Sequence, residues 1–133
     1  MNLLGNFING EQLASESERQ SAVYNPATGA HTLNVSLSTA AETKAAIHVA
    51  QTAFESWSKV TPLRRARVMF KFKALVEDHI DELATMITLE HGKVLSDAKG
   101  EITRGIEVVE FACGIPHLLK GEHSLNVGSG VDS

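Results

Sequence analysis

From residue 38 to about residue 121 the apolar residues recur at helical spacing, and only short strand-like stretches precede them. That periodicity predicts four helices. Thr39 and Glu42 have the spacing of a capping box. Ala45, Val49, Ala53 and Trp57 then follow one face, joined by Ala46, Ala50 and Phe54, with alanines that allow another helix to come close. Thr61-Pro62 restarts the chain, with Thr61 as the cap and Pro62 in the first turn, where its missing N–H costs nothing. Ala66, Met69, Phe70, Phe72, Leu75 and Val76 give this second helix a broad apolar face. Asp78 and Asp81 suit a third start near residue 79, and Gly92 suits its end. Ser96 is the expected cap of a fourth helix running to Leu119 and closed by Gly121, with Pro116 kinking its last turns.

Before residue 38 the period is two, or absent. Asn9-Gly10 is a strong hairpin signal, because both residues tolerate positive φ. The stretch from Ser15 to Ser21 reads as a loop, and Val23-Tyr24 leads into a second turn at Asn25-Pro26-Ala27-Thr28-Gly29. Leu33, Val35 and Leu37 alternate with polar residues, as in a half-buried strand. One hairpin and one strand are too little sheet for four helices to cover. The expectation is therefore the N-terminal part of a larger enzyme. The tail from Glu122 to Ser133 carries no period.

The 133 residues, 43% apolar and 21% charged, are ordinary for a soluble globular chain. A net charge of −4 argues against a nucleic-acid surface. Arg64, Arg65 and Arg67 cluster without interleaved aromatic residues, which favours a solvated face. A single cysteine rules out an internal disulfide and a cysteine-built metal site, and a reducing, cytoplasmic compartment is the default. No run has the length of a membrane span, and no signal-peptide pattern opens the chain. The six histidines show neither HExxH nor i,i+4 pairing, so no metal is expected. Gly128-Ser129-Gly130 resembles a phosphate loop only superficially, since no helix pattern follows. Cys113 falls on an apolar helix face and reads as a packed thiol rather than a nucleophile.

Arg104 is the residue out of pattern. On the fourth helix, Lys99, Thr103, Glu107 and Glu110 share a polar sector, whereas Arg104 falls among Val108, Phe111 and Ile115. A guanidinium there needs a partner or a polar opening. Two readings stand: a structural ion pair with Glu101 or Asp97, or an arginine that binds an anionic ligand.

The order of these signals resembles the aldehyde dehydrogenase superfamily. The matching pieces are Phe7-Ile8-Asn9-Gly10-Glu11, Asn25-Pro26-Ala27-Thr28-Gly29, the Ala53-Phe54 to Trp57 helix end, the segment at Arg64-Arg65, and Leu89-Glu90-His91-Gly92-Lys93. Thr103-Arg104-Gly105-Ile106-Glu107-Val108-Val109-Glu110-Phe111-Ala112, continued by Leu119-Lys120-Gly121-Glu122, resembles the CoA-acylating methylmalonate-semialdehyde (malonate-semialdehyde) dehydrogenase group. The resemblance covers nearly all of this chain but about the first quarter of a family member. It implies an α/β fold in which a hairpin, a strand and four helices pack around a Rossmann-like domain lying outside the segment. Residues 1–121 would belong to the NAD-binding domain and residues 122–133 would begin an oligomerisation or linker segment. It implies NAD as cofactor, CoA as co-substrate, a carboxylate-bearing semialdehyde as substrate, propionyl-CoA or acetyl-CoA as product, and a homotetramer or homodimer. Arg104 would line the substrate entrance and bind the carboxylate bidentately. The family's nucleophile and dinucleotide contacts match nothing here, so this segment alone is expected to be inactive. The alternatives are a non-acylating NAD(P)-dependent aldehyde dehydrogenase and a non-enzymatic helical interaction module.

Overall fold

The computed structural model describes residues 3–133, which separate into two compact units, one ending at Trp57 and the other spanning Ser58–Ser133.

The first unit holds all the named strands and one helix. Strand β1 is Leu3–Leu4, β2 is Asn6–Ile8, β3 is Glu11–Leu13, β4 is Gln20–Tyr24, β5 is His31–Ser36, and helix α1 is Ala40–Trp57. Strands β2 and β3 form the expected antiparallel hairpin, with Ile8 opposite Glu11. Its turn works because Asn9 and Gly10 both take positive φ, 55° and 81°. The other three strands form a sheet in the order β1-β5-β4, in which β1 runs parallel and β4 antiparallel to β5. The Asn25 turn joins β4 to β5. The Asn25 side-chain oxygen accepts from the backbone N–H of Ala27 at 2.9 Å and of Thr28 at 3.2 Å, and Gly29 closes the turn at φ 70°.

The sheet is larger than the expected hairpin plus one strand. Strands β1 and β4 add to it, and β4 takes in Gln20 and Ser21 from the stretch read as loop. Gln20-Ser21-Ala22 has little intrinsic strand preference. Its extended shape comes from pairing along β5, a contact that local propensity does not report.

Helix α1 begins with the predicted capping box. Thr39 N–H donates to Glu42 Oε2 at 2.6 Å, and Glu42 N–H donates to Thr39 Oγ1 at 3.2 Å. Trp57, placed by its spacing in a helix–helix core, is instead 43% exposed.

The second unit comprises α2 (Pro62–Asp78), α3 (Ile80–His91), α4 (Leu95–Cys113) and α5 (Ile115–Leu118). Thr61 caps α2 as expected, its hydroxyl accepting from Arg64 N–H at 3.4 Å. Gly92 ends α3 at φ 83°, a left-handed position that suits glycine. The fourth helix departs from expectation in three ways. It starts at Leu95 with Val94 as an uncapped N-terminus, so Ser96 lies inside the first turn. It stops at Cys113, with Gly114 folding back to Phe111 through a 3.0 Å backbone bond. Pro116 then occupies the first turn of the separate α5 instead of kinking one long helix, and α5 ends at Leu118. The reason is steric: a proline tolerated in a first turn would clash with the carbonyl four residues back in a continuous helix.

The tail also differs from its aperiodic reading. Ser124 and Ser133 exchange two backbone hydrogen bonds, at 2.7 and 2.9 Å, and a bridge pairs Gly128 with Val131. Asn126 Nδ2 donates to the Lys59 carbonyl at 3.1 Å and ties this closed loop to the start of the unit.

The core of the unit is small. Ala84 of α3 and Ala98 of α4 are fully buried and Ile102 nearly so, with Val76, Ile80, Leu83 and Ile87 packed around them. Two alanines at the contact let the helix backbones approach closely. Lys99 of α4 adds an ion pair to Asp81 of α3 at 2.5 Å.

Candidate functional site

Helix α4 has two apolar stripes. Ala98, Ile102, Ile106, Val109 and Cys113 form the inward one, buried or half-buried. Arg104, Val108 and Phe111 lie roughly opposite, since residues two positions apart, such as Ile102 and Arg104 or Ile106 and Val108, differ by about 200° on a helix. That second stripe is open: Val108 is 68% and Phe111 66% exposed, and Arg104 is exposed with them. The apolar sector around Arg104 is therefore a free face, and the guanidinium is not a buried charge in this chain.

None of Asp97, Glu101 and Glu107, the carboxylates near Arg104 in sequence, pairs with it. Among the described residues, no carboxylate lies within 4 Å of its guanidinium. Glu101 is held instead by Lys93, whose Nζ sits 2.5 Å from Glu101 Oε1. Lys93 follows the left-handed Gly92 in the short link between α3 and α4, so the pair fastens that link to α4. The hydrogen bond from Lys93 holds the Glu101 carboxyl below the usual carboxylate range, with smaller contributions from Lys93, Arg104 and His91 as nearby charges. Arg104 thus stays electrostatically close to Glu101 without pairing with it. Its Nη1 lies 3.7 Å from where a Cβ on Gly100 would stand, so the side chain runs back over the preceding turn.

The sequence pointed to Arg104 but not to Lys93 as the owner of Glu101. Lys93 and Glu101 are eight residues apart across a break in helical geometry, where i,i+4 reasoning has no force.

The other flagged residues do not join this site. Cys113 is buried at the end of α4, as a packed thiol would be. Arg64 and Arg67 are exposed, but Arg65 is half-buried and its Nε is enclosed without a hydrogen-bond partner. Among the histidines, His79 caps a helix junction and meets Glu82 at 3.1 Å, and His91 ends α3. No cluster of three or more metal-ligating side chains occurs among the described residues. None of the described helices is long and apolar enough to cross a membrane. Gly128-Ser129-Gly130 lies in the turn of the Gly128–Val131 bridge. An apolar groove of about 400 Å³ opens between α2, α3 and α4, with Phe72, Met86, Ile106 and Val109 in its walls. Arg104 faces away from it.

The aldehyde dehydrogenase family matches residues 13–132. The chain belongs to that family. Malonate-semialdehyde dehydrogenase from Bacillus pumilus is 46% identical over 131 residues, covering 98% of this chain and 27% of the relative. The enzyme of that name from Listeria innocua is 48% identical over 130 residues, with the same coverage of 98% and 27%. The crystal structure of a putative methylmalonate-semialdehyde dehydrogenase from Sinorhizobium meliloti, complexed with NAD, superposes with a TM-score of 0.88. It shares 47% identity, covering 99% of this chain and 27% of that one. The chain thus spans about a quarter of the length of the relatives it matches.

Proposed function

We propose that a full-length dehydrogenase carrying this segment converts malonate semialdehyde or methylmalonate semialdehyde to acetyl-CoA or propionyl-CoA, with loss of the carboxylate. Residues 1–121 contribute to its NAD-binding domain, residues 122–133 lead toward an oligomerising segment, and the enzyme works as a homo-oligomer in the cytoplasm. The observation that carries this reading is the unpartnered guanidinium of Arg104 on an exposed apolar helix face. A semialdehyde of this kind has an apolar carbon or two between a carboxylate and an aldehyde. The planar guanidinium suits the carboxylate, and the flanking Val108 and Phe111 suit the carbons. Similarity to malonate-semialdehyde dehydrogenases supports the same substrate class.

When bound, NAD accepts hydride and CoA accepts the acyl group. No residue described here forms a dinucleotide cradle, and that chemistry belongs to other segments of a full-length enzyme. The role of this segment is to hold the carboxylate so that the aldehyde carbon is presented in one orientation, which converts binding into rate.

The test is Arg104→Ala in the full-length dehydrogenase, with kcat/KM measured for malonate semialdehyde and for propanal. Loss of charge-assisted hydrogen bonds, about 1.5–3 kcal/mol, should lower kcat/KM for the carboxylated substrate about ten- to hundredfold relative to propanal. Arg104→Lys should recover only part, because an ammonium lacks the planar fork. An equal loss toward both substrates would return Arg104 to a structural role.

A further inference from the structure

On the reading of Arg104 as the carboxylate-binding residue, we propose that Lys93 keeps that arginine available by holding Glu101 away from it. Lys93 is a positioning residue, acting through Glu101 and touching no substrate.

Glu101 and Arg104 are three residues apart on one helix, a spacing at which a carboxylate and a guanidinium pair readily. In this structure they do not pair. The Glu101 carboxylate is turned to the Lys93 ammonium at 2.5 Å, and no carboxylate among the described residues is within 4 Å of Arg104. Lys93 is only 17% exposed at its side chain, so it is held against the helix rather than sampling solvent freely. Its backbone is fixed by the left-handed turn at Gly92 and by the start of α4 one residue after Val94. Glu101 has one carboxylate and two cations in reach, and the link between α3 and α4 decides which one takes it. With Lys93 in place, the cost of freeing Arg104 from its neighbour is met before any ligand arrives. Without Lys93, the Glu101 carboxylate is released within i,i+3 reach of Arg104 and competes with an incoming carboxylate intramolecularly. The affinity for that ligand then falls by the fraction of molecules in which Arg104 is free.

The experiment uses Lys93→Met in the full-length dehydrogenase, which keeps most of the apolar stem and removes the charge. The readout is the ratio of kcat/KM for malonate semialdehyde to that for propanal. An i,i+3 pair is weak, so the ratio should fall about two- to threefold, through KM rather than kcat. Adding Glu101→Gln to Lys93→Met removes the competitor and should restore the ratio. Lys93→Arg should keep it near its starting value. A crystal structure of the Lys93→Met protein should place the Glu101 carboxylate within hydrogen-bonding reach of Arg104. The proposal is overturned if the ratio is unaffected by Lys93→Met, if Glu101→Gln fails to restore it, or if Glu101 stays clear of Arg104 in the variant's structure. Arg104→Ala, measured alongside, separates the two readings. If it is selective and Lys93→Met is not, only the role of Lys93 fails. If Arg104→Ala is not selective, the carboxylate site fails and the role of Lys93 with it.

Discussion

Glu42 does the most at the scale of single residues. Its carboxylate accepts from its own cap residue, Thr39, and also from the backbone N–H of Glu16 at 2.8 Å. One side chain therefore closes the start of α1 and holds the loop after the hairpin to it. The backbone hydrogen bond from Thr39, then those from Ser15 and Glu16, lower its pKa from 4.5 to about 2. A carboxyl with a depressed pKa stabilises the fold above its unfolded value and stops doing so as pH falls through its folded value. The Tm difference between the natural chain and Glu42→Gln should be steady above about pH 5, shrink below the unfolded value of 4.5, and close near pH 2. A difference that persists unchanged to pH 2 would show that ionisation of Glu42 is not what holds the cap. Thr39 and Glu42 were legible as a pair because a capping box is local. The bond to Glu16, 26 residues away, was not, since nothing in the spacing reports a contact made by folding.

Among the elements, the α3–α4 contact organises the helical unit. Ala84 and Ala98 are both at 0% exposure, and no other described residue is so enclosed. Ala84→Leu would force several extra carbons between two closely approaching backbones. Overpacking of this kind costs about 1–3 kcal/mol, and the helices can relieve it only by separating. Denaturant unfolding should show the loss, and Lys93 and Glu101 should move apart as the two helices shift. Full stability in Ala84→Leu would mean that this contact is looser than its burial implies. Helical periodicity, with the local start and stop signals at Thr39, Thr61 and Gly92, was enough to find α1, α2 and α3. It overran the end of α4 because Phe111, Ala112, Ile115 and Leu118 continue an apolar pattern through Gly114. The break follows from local chain chemistry at Gly114 and Pro116, where a short separate turn is easier to form than a kinked helix.

For the whole molecule, the balance of apolar surface is the dominant property. Ala66, Ala84, Ala98, Ile102 and Cys113 are the only buried apolar side chains among the described residues, whereas Phe7, Ile47, Phe54, Phe70, Leu89 and Phe111 are all exposed. Open apolar surface on this scale drives association. This chain by itself should bind a hydrophobic dye such as ANS and self-associate as its concentration rises. A monomer that excludes the dye and unfolds cooperatively would show that its own core suffices. Residue order alone settles the features that depend on neighbours along the chain. These are the hairpin turn at Asn9-Gly10, the Asn25 turn, the caps at Thr39 and Thr61, the left-handed end at Gly92, and the family motifs. Each is set by φ preference, by a side chain reaching its own backbone, or by spacing on one helix. That β1 and β4 complete a sheet, that the tail is tied down through Asn126, that the sector around Arg104 lies open, and that Glu101 answers to Lys93 emerged from folding in three dimensions. Those outcomes depend on which distant groups meet, and a hydrogen bond or ion pair between distant groups exists only after the chain has brought them within a few ångströms.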